Sequence, residues 1–234
     1  MIYLLGAKGK IGTNIARFLF ENKVNFVRVT KENNKESISF NTFIKTAQFQ
    51  KNILIINAAI LNRYDLSSLV KSFEKNTRII HISSVSVYGN TILSNNIKPI
   101  NSYGHFKVSE ENILKEKFKI CIIRLANIYG GSPETSGVLD LYKSKKLKYI
   151  EIDNDNNELI RDYVHVNNLL FFIYNNLNFK KSQIVNISTG EGMSSSEFFK
   201  SQKINLKNLK RRLYDKKQTI KISVIDHSFK EFIN

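Results

Sequence analysis

The segment that decides the fold is IYLLGAKGKIGTNIARFLFENK, residues 2–23. It consists of a short apolar strand, a glycine-rich turn and an amphipathic helix, the context in which a glycine pattern indicates dinucleotide binding. Gly6 permits the tight turn, Gly9 allows the backbone close to a pyrophosphate, and Gly12 lets the helix pack against the strand. The free N–H groups at the helix N-terminus suit phosphate oxygens. We therefore predict a dinucleotide-binding turn, against the alternative of a glycine turn without a ligand.

Outward from this unit, short apolar runs alternate with amphipathic stretches, which is typical of a parallel sheet with helices on both faces. The other predicted strands are NFVRVT (25–30), NILIINAA (52–59), TRIIHISS (77–84), KICIIRLAN (119–127), YIEID (149–153) and QIVNIS (183–188). The other predicted helices are DLSSLVKSFEKN (65–76), SYGHFKVSEENILKEKF (102–118), VLDLYKSKKL (138–147) and NNLLFFIYNNL (167–177). We therefore expect the α/β class with a doubly wound parallel sheet.

The net charge of the chain is strongly positive. Its 234 residues fit one domain, or one domain with a small lobe, and carry a formal charge of +16. From Lys200 onward, ten Lys or Arg against three Asp or Glu account for +7 of that charge. The remainder is dispersed and lacks the aromatic interleaving of a nucleic-acid module. We interpret the charge as a solvated face that attracts phosphate-bearing small ligands, and expect no nucleic-acid partner.

Three further features of the sequence bear on the cellular compartment and on cysteine and metal chemistry. The single cysteine, Cys121, lies in the apolar run KICIIRL, which predicts a buried structural thiol. The first residues show no signal-peptide pattern and no apolar run is long enough to span a bilayer, so we expect a cytoplasmic protein without a membrane partner. The histidines have no metal-ligand spacing, and we interpret each as structural or superficial and predict no metal site. They are His81, His105, His165 and His227.

The end of the second strand bears on the choice between NAD and NADP. An acidic side chain there hydrogen-bonds an NAD ribose, but Thr30 occupies this position, with Lys31 beside it and Glu32 one residue further. A hydroxyl next to a basic group suits the 2′-phosphate of NADP better than a free diol. Thr30 and Lys31 therefore predict NADP, with NAD as the alternative if Glu32 turns back toward the ribose.

Tyr103 and Lys107 are four residues apart in a predicted helix and so lie on one of its faces. A lysine ammonium near a phenol stabilises the phenolate, which lets the tyrosine exchange a proton with an alcohol or sugar oxygen. The strand upstream ends in hydroxyls, in IHISSVSVYG at residues 80–89, where an open α/β sheet presents its ligand crevice. The spacing alone equally describes a surface pair, but the combination predicts a proton-transfer site.

Seven short motifs follow the order found in extended short-chain dehydrogenases/reductases, and the chain resembles their nucleotide-sugar group, the NAD-dependent epimerase/dehydratase family. The motifs are GAKGKIG (6–12), NAA (57–59), ISSVSVYG (82–89), YGHFK (103–107), RLANIYGG (124–131), RDYVHV (161–166) and VNISTGEGMSSSEFF (185–199). The resemblance extends to about Phe199. It implies a Rossmann-type domain with a smaller C-terminal substrate lobe, and often a homodimer.

The same resemblance implies catalytic and cofactor roles. Ser84, rather than Ser83 or Ser86, stands at the position of the catalytic hydroxyl, four residues before the tyrosine of VYG. Tyr103 and Lys107 stand at the positions of the catalytic tyrosine and lysine. Lys107 is expected to bind the nicotinamide ribose and to depress the pKa of the tyrosine. The remaining cofactor candidates are Lys10, Ile11, Ala58 and Ala59.

Two further positions are implied to contact the substrate. Asn127 matches an asparagine that often lies at the substrate, and Arg161 matches an arginine that approaches the nucleotide diphosphate. The alternatives are that Asn127 caps a strand end and that Arg161 pairs with Asp162 or another carboxylate. Ser84 is followed by Val-Ser and not by the Asp-Glu pair of a sugar dehydratase, which argues against dehydration.

We expect residues 1–129, returning at about 159–188, to form the dinucleotide-binding core. Residues 130–158 and 189–234 are expected to form the substrate lobe. The expected activity is NAD(P)-dependent reduction of a nucleotide-linked 4-keto sugar, with Tyr103 as proton donor. A nucleotide-sugar 4-epimerase and a non-catalytic dinucleotide sensor are the alternatives. Retention of a complete proton-transfer set argues against the sensor.

Overall fold

The computed structural model describes residues 1–206, 209–213, 220–226 and 230–233, and of these it describes residues 231–233 by their backbone alone. His227 and part of the expected substrate lobe lie outside the described residues. The strands are β1 (Ile2–Leu5), β2 (Val27–Thr30), β3 (Ser37–Ser39), β4 (Leu54–Asn57), β5 (Arg78–Ser84), β6 (Thr91–Ile92), β7 (Lys119–Leu125), β8 (Asn127–Tyr129), β9 (Tyr149–Ile152), β10 (Ile160–His165), β11 (Ser182–Ile187), β12 (Gly192–Ser194), β13 (Lys210–Leu213), β14 (Ile222–Val224) and β15 (Lys230–Ile233). The helices are α1 (Lys10–Glu21), α2 (Phe40–Ala47), α3 (Arg63–Ser72), α4 (Ser102–Lys117), α5 (Gly137–Lys143), α6 (Val166–Asn175) and α7 (Ser195–Ser201).

The central sheet has the strand order β3-β2-β1-β4-β5-β7-β11-β15. The strands from β3 to β11 run parallel, and β15 joins β11 antiparallel. The direction of winding reverses between β1 and β4, as in a doubly wound nucleotide-binding sheet. The predicted Rossmann-type α/β fold is therefore confirmed.

Two apolar layers cover this sheet, one on each face. Leu4 belongs to the layer that packs against α1 and α6, and the next residue, Leu5, belongs to the layer that packs against α2, α3 and α4. Successive side chains of a strand point to opposite faces, so a strand covered on both sides needs apolar residues at consecutive positions. Each leucine buried in this way contributes about 1.5–3 kcal/mol to stability.

The parallel register brings distant parts of the sequence to one edge of the sheet. Leu5 pairs with Val29 and with Asn57, and Ser84 pairs with Leu125. These positions lie at the carboxyl ends of five neighbouring strands. The loops that follow them therefore converge, which is where an open α/β sheet binds its ligands.

A smaller unit packs at that edge. Its strands form a sheet with the order β12-β10-β14-β6, with β8 paired to β10, and a separate pair β9-β13. A third apolar cluster joins it to α5 and α7, and this cluster is built on Leu139, Tyr163, Phe198 and Phe199. The rings of Tyr163 and Phe198 are stacked with their centres 3.8 Å apart.

The sequence missed one helix of the central unit and misplaced two helix ends. The stretch FNTFIKTA forms α2, because Ser39 caps its first turn and Phe43 is buried beneath it. The predicted helix 65–76 begins earlier, at Arg63, since Asn62 accepts a hydrogen bond from the N–H of Asp65. The predicted helix 138–147 ends at Lys143.

The described part of the chain also bears on the single cysteine and on membrane-spanning helices. Cys121 is buried as expected, and burial raises the pKa of its thiol to about 12. No helix there combines the length and apolarity needed to cross a bilayer.

Candidate functional site

The glycine turn has the geometry that its sequence predicts. Gly6 adopts a φ of +78°, and a Cβ added to it would lie 2.8 Å from the Ala59 nitrogen. A Cβ on Gly12 would lie 2.1 Å from the Gly6 oxygen. A larger residue at either position would push the turn away from the helix or from the loop after β4.

The N-terminus of α1 fits the pyrophosphate of a dinucleotide. Gly9 precedes the helix, no side chain caps its first turn, and Lys10–Thr13 contains no acidic residue. The backbone N–H groups of this turn are thus free to bind an anion. The Lys10 side chain points elsewhere, because its Nζ lies 2.7 Å from Asp140 Oδ2 on α5.

A pocket of about 280 Å³ adjoins the glycine turn at the end of β2. Thr30 lines it, as do Lys8, Arg28 and Glu36, whereas Lys31 is exposed and is not part of the lining. Arg28 pairs with Glu36, with 2.9 Å between Nη1 and Oε2. The Thr30 hydroxyl donates to the Glu32 carbonyl oxygen, 2.8 Å away. Arg28, which lies on β2 with Thr30, is therefore a basic group of this pocket, whereas Lys31 is not.

The main cavity, of about 830 Å³, runs from the glycine turn to the smaller unit. It brings together eight of the residues singled out from the sequence. They are Ile11, Ala58, Ala59, Ser84, Tyr103, Lys107, Asn127 and Arg161. The fold therefore brings residues up to 150 positions apart in the chain into the lining of one cavity.

The two serines at the end of β5 have different surroundings. The Ser83 hydroxyl is buried and donates to Glu111 Oε1 at 2.5 Å. Glu111 in turn holds Arg124, with Arg124 Nη2 2.7 Å from its Oε2. The Ser84 hydroxyl donates to the Ser86 side chain at 3.1 Å and lies near enough to the Tyr103 phenol to lower its pKa. Ser84 is therefore the serine whose hydroxyl adjoins the tyrosine, and Ser83 is held in a structural network.

Tyr103 lies on the first turn of α4, with 41% of its surface exposed. Desolvation of its hydroxyl and the charge of Glu110 raise the pKa of this phenol, and the hydrogen bond with Ser84 opposes them without reversing the effect. In the chain without a bound cofactor the pKa of the phenol is raised overall, so the depression expected from Lys107 does not dominate. The lysine ammonium lies 5.9 Å from the centre of the phenol ring and is paired with a carboxylate.

That carboxylate belongs to Glu110, one helical turn after Lys107. Lys107 Nζ donates to Glu110 Oε2 at 2.8 Å and to the Ile82 carbonyl oxygen at 3.3 Å. Both side chains are buried. Behind the pair lies His81, whose Nε2 is 3.8 Å from Glu110 Oε2. Sequence reasoning missed Glu110, although its i, i+3 spacing from Lys107 was a signal that could have indicated a pair.

The two predicted substrate contacts line the far part of the cavity. Asn127 is exposed at the start of β8. Arg161 Nη1 donates to the carbonyl oxygens of Ile160 and Lys221. The alternative that Arg161 pairs with Asp162 is wrong, because the buried Asp162 carboxylate accepts hydrogen bonds from Thr189 and Gly190.

The residues described here hold no cluster of three His, Cys, Asp or Glu side chains that could bind a metal ion. The histidines among them differ in surroundings. His165 caps α6 by accepting from the Asn167 N–H, and His105 is exposed on α4. His81 is fully buried, and its Nε2 lacks a hydrogen-bond partner among the described residues. His81 is therefore a buried structural histidine with only its Nδ1 hydrogen-bonded among the described residues.

A family model agrees with this architecture. Residues 43–188, more than half of the chain, match the model of the NAD dependent epimerase/dehydratase family. The chain therefore belongs to this family, whose members are enzymes of the short-chain dehydrogenase/reductase class. The glycine turn at residues 6–12 precedes the matched region and is assigned from its own geometry.

Solved structures share the fold at low sequence identity. UDP-glucose 4-epimerase from Thermotoga maritima, crystallised with UDP-glucose, is 20% identical with a TM-score of 0.73, over 97% of this chain and 90% of that one. WbmG from Bordetella bronchiseptica in complex with NAD is 16% identical with a TM-score of 0.75, over 97% and 85%. Pal from Bacillus thuringiensis is 17% identical with a TM-score of 0.76, over 97% and 90%. No curated protein sequence matches significantly.

Proposed function

We propose that this protein reduces the 4-keto group of a nucleotide-linked sugar, using a nicotinamide dinucleotide as hydride donor. The observation that carries the proposal is the placement of Ser84, Tyr103 and Lys107 on one wall of the main cavity, next to the glycine turn. A cofactor bound at the N-terminus of α1 can extend along the carboxyl edge of the sheet to this wall. Arg161 lies farther along the cavity, where it can bind the substrate diphosphate.

The proposed step uses the phenol as an acid. A bound reduced nicotinamide supplies a hydride to the carbonyl carbon. Tyr103 donates its proton to the carbonyl oxygen, which becomes the hydroxyl of the product, and Ser84 hydrogen-bonds that oxygen as charge develops on it. The Tyr103 phenolate then takes a proton from solvent. Because its surroundings raise its pKa, the phenol stays protonated near neutral pH and is poised to donate.

We further propose a preference for NADPH over NADH. Lys8 and Arg28 line the pocket beside Thr30, where a 2′-phosphate on the adenosine ribose would lie. Glu36 lines the same pocket and pairs with Arg28. If the Glu36 carboxylate instead accepts the ribose hydroxyls, NADH binds at least as well. WbmG, with the same fold, is a complex with NAD.

The second candidate is a 4-epimerase, which uses the same three catalytic residues. The similarity to the T. maritima UDP-glucose 4-epimerase favours it. An epimerase must retain its keto intermediate and its cofactor through each cycle, whereas a reductase releases oxidised cofactor. The raised pKa of Tyr103 favours reduction, since an enzyme that begins by oxidising an alcohol needs the phenolate first.

The two functions separate in one assay. With NADPH and a nucleotide-linked 4-keto-6-deoxy sugar, a reductase consumes one NADPH for each sugar reduced. A Tyr103→Phe variant under the same conditions controls for non-enzymatic reduction. Interconversion of two nucleotide hexoses with no net change in nicotinamide absorbance would instead establish the epimerase.

The division of the chain into a core and a lobe is also a proposal. We propose that residues 1–129 and 159–188 form the cofactor-binding core, and that residues 130–158 and 189–234 form the substrate lobe. Leu139 and Phe199, from the two segments of the proposed lobe, share the third apolar cluster with Tyr163 of β10, so β10 packs with both segments. A cytoplasmic location and a homodimer remain predictions of the sequence.

A further inference from the structure

On the side away from the cavity, the Lys107 ammonium pairs with the buried carboxylate of Glu110. The ammonium is enclosed, with 3% of the side chain exposed, and Glu110 shows no exposed surface. Among the described residues, the hydrogen bonds of the Lys107 ammonium are the 2.8 Å charged pair with Glu110 Oε2 and a 3.3 Å bond to the Ile82 carbonyl oxygen. An ammonium has three N–H donors, so two bonds on the buried side leave one for the cavity. Glu110 thus determines the direction in which the third N–H of Lys107 points.

The chain of polar groups continues from Glu110 to the loop after β4. The Ala59 N–H donates to Asn57 Oδ1 at 3.1 Å, which assigns the Asn57 amide. Its Nδ2 then donates to His81 Nδ1 at 3.1 Å. The neutral His81 ring consequently carries its proton on Nε2, the atom that faces Glu110. Ala59 lines the same cavity as Lys107, so this chain connects two parts of its wall.

The buried polar cluster formed by Lys107, Glu110, His81 and Asn57 is not arranged for stability alone. His81 Nε2 and Glu110 Oε1 have no hydrogen-bond partner among the described residues, although both are buried. Buried polar atoms without partners cost stability and are concentrated at functional sites. A lysine required only for packing would be served as well by an apolar side chain of similar volume.

The charged and titratable groups facing Glu110 come from two elements. Lys107, Tyr103 and Glu111 lie on α4, and His81 lies on β5. Burial and the Lys107 charge lower the pKa of His81 well below its usual value, so the imidazole is neutral. Glu110 is therefore the anion that compensates Lys107 at the catalytic centre, since Glu111 is already paired with Arg124.

We propose that Glu110 is a positioning residue that aims the Lys107 ammonium into the cavity and compensates its charge next to Tyr103. The inference rests on the proposed function, in which Lys107 binds the nicotinamide ribose and Tyr103 transfers the proton. It follows that the Glu110 charge adds to the burial that raises the pKa of the unliganded phenol. Loss of the Glu110 charge should let Lys107 act on the phenol unopposed.

The first test is the ionisation of Tyr103 in the protein without cofactor. Tyrosine labelled with ¹³C at Cζ reports phenolate formation, and the Tyr103→Phe variant assigns the signal. In Glu110→Gln, the midpoint of the Tyr103 titration is expected to move to lower pH. Glu116→Gln, a change at an exposed glutamate of the same helix, is expected to leave it unchanged. Glu110→Met, which removes the charge at similar volume, serves if the amide variant does not fold.

An unchanged midpoint in the folded Glu110 variant, or an equal shift in Glu116→Gln, would overturn the proposal. The second test is equilibrium binding of NADPH and NADH. Glu110→Gln is expected to bind its preferred cofactor several-fold more weakly than Glu116→Gln, because Lys107 is no longer aimed at the ribose. Equal affinity would contradict the positioning role. If the wild-type protein binds neither nucleotide, the proposed function fails, while the Tyr103 titration still decides the role of Glu110.

Discussion

At the scale of single residues, the two serines at the end of β5 show how the partner of one hydroxyl determines the role of a side chain. Ser83 and Ser84 are neighbours on β5, yet one hydroxyl donates to Glu111 and the other adjoins the phenol of Tyr103. Successive side chains of a strand point to opposite faces. A shift of one position in the strand would therefore exchange the structural serine and the serine of the cavity.

Tyr103→Phe removes the proposed acid and keeps the ring. We expect turnover to fall by roughly two to four orders of magnitude, the usual contribution of a positioned acid or base. Cofactor affinity should remain nearly unchanged, which a binding titration with NADPH measures. Tyr64→Phe, at a tyrosine that is 85% exposed, is the matched control. Near wild-type turnover in Tyr103→Phe would exclude the proposed mechanism.

Arg28→Gln tests how the cofactor is selected. If Arg28 binds a 2′-phosphate, its loss should weaken NADPH binding roughly tenfold, since a hydrogen bond to a charged group contributes about 1.5–3 kcal/mol. NADH binding should change little. Lys31→Gln is the comparison, because Lys31 is exposed and is not part of the pocket lining. A loss of NADPH affinity in Lys31→Gln but not in Arg28→Gln would restore the assignment made from the sequence.

At the scale of elements, α4 carries both members of the proposed catalytic Tyr-Lys pair and therefore fixes their separation. The helix begins after Asn101, whose Oδ1 accepts a hydrogen bond from the Gly104 N–H at 2.7 Å. Tyr103 lies in this first turn, and Lys107 follows one turn later. The N-cap thus supports the part of the helix that presents the phenol to Ser84.

Asn101→Ala should therefore affect stability and activity together. Loss of an N-cap costs about 0.5–2 kcal/mol, and fraying of the first turn should lower turnover. Asn62→Ala removes the equivalent cap of α3, where Oδ1 accepts from the Asp65 N–H at 2.9 Å. Denaturant unfolding should show a similar loss in both variants, with turnover reduced only in Asn101→Ala. Equal turnover in the two would mean that the cap has no role in placing Tyr103.

At the scale of the whole molecule, the buried polar cluster between β5 and α4 makes folding sensitive to pH. His81 is fully buried, and its pKa is lowered well below the usual value by burial and by Lys107. The unfolded chain takes up a proton at this residue as the pH falls below about 6.5, whereas the folded chain does not. The contribution of His81 to stability therefore decreases as the pH falls through this range, whereas the raised pKa of Glu110 acts in the opposite direction.

We expect the free energy of unfolding to decline between pH about 6.5 and 5, by at most about 1.4 kcal/mol per pH unit from this one group. Chemical denaturation at a series of pH values measures the slope. His81→Asn should reduce the slope, although it also lowers stability at neutral pH. His105→Asn, at an exposed histidine of α4, should leave the slope unchanged. A slope that persists undiminished in His81→Asn would assign it to other groups.

The sequence by itself determined the elements and the class of site. The strand, glycine turn and helix of residues 2–23 are encoded by local periodicity and by glycines that only a tight turn requires. The i, i+4 spacing of Tyr103 and Lys107 on α4 is a property of any helix, and so it was readable without tertiary information. The helix α2 was not predicted, because this short segment depends on the burial of Phe43 and Ala47 in addition to its Ser39 cap.

Only the tertiary structure decided which groups meet. Lys10 pairs with Asp140, 130 positions away, and Glu110 faces His81 from a different element. Contacts of this kind depend on how strands align and how closely helices pack, and local spacing does not contain that information. The ionisation of Tyr103 also depends on packing. Burial of the phenol is the largest cause of its raised pKa, and the charge of Glu110 adds to it.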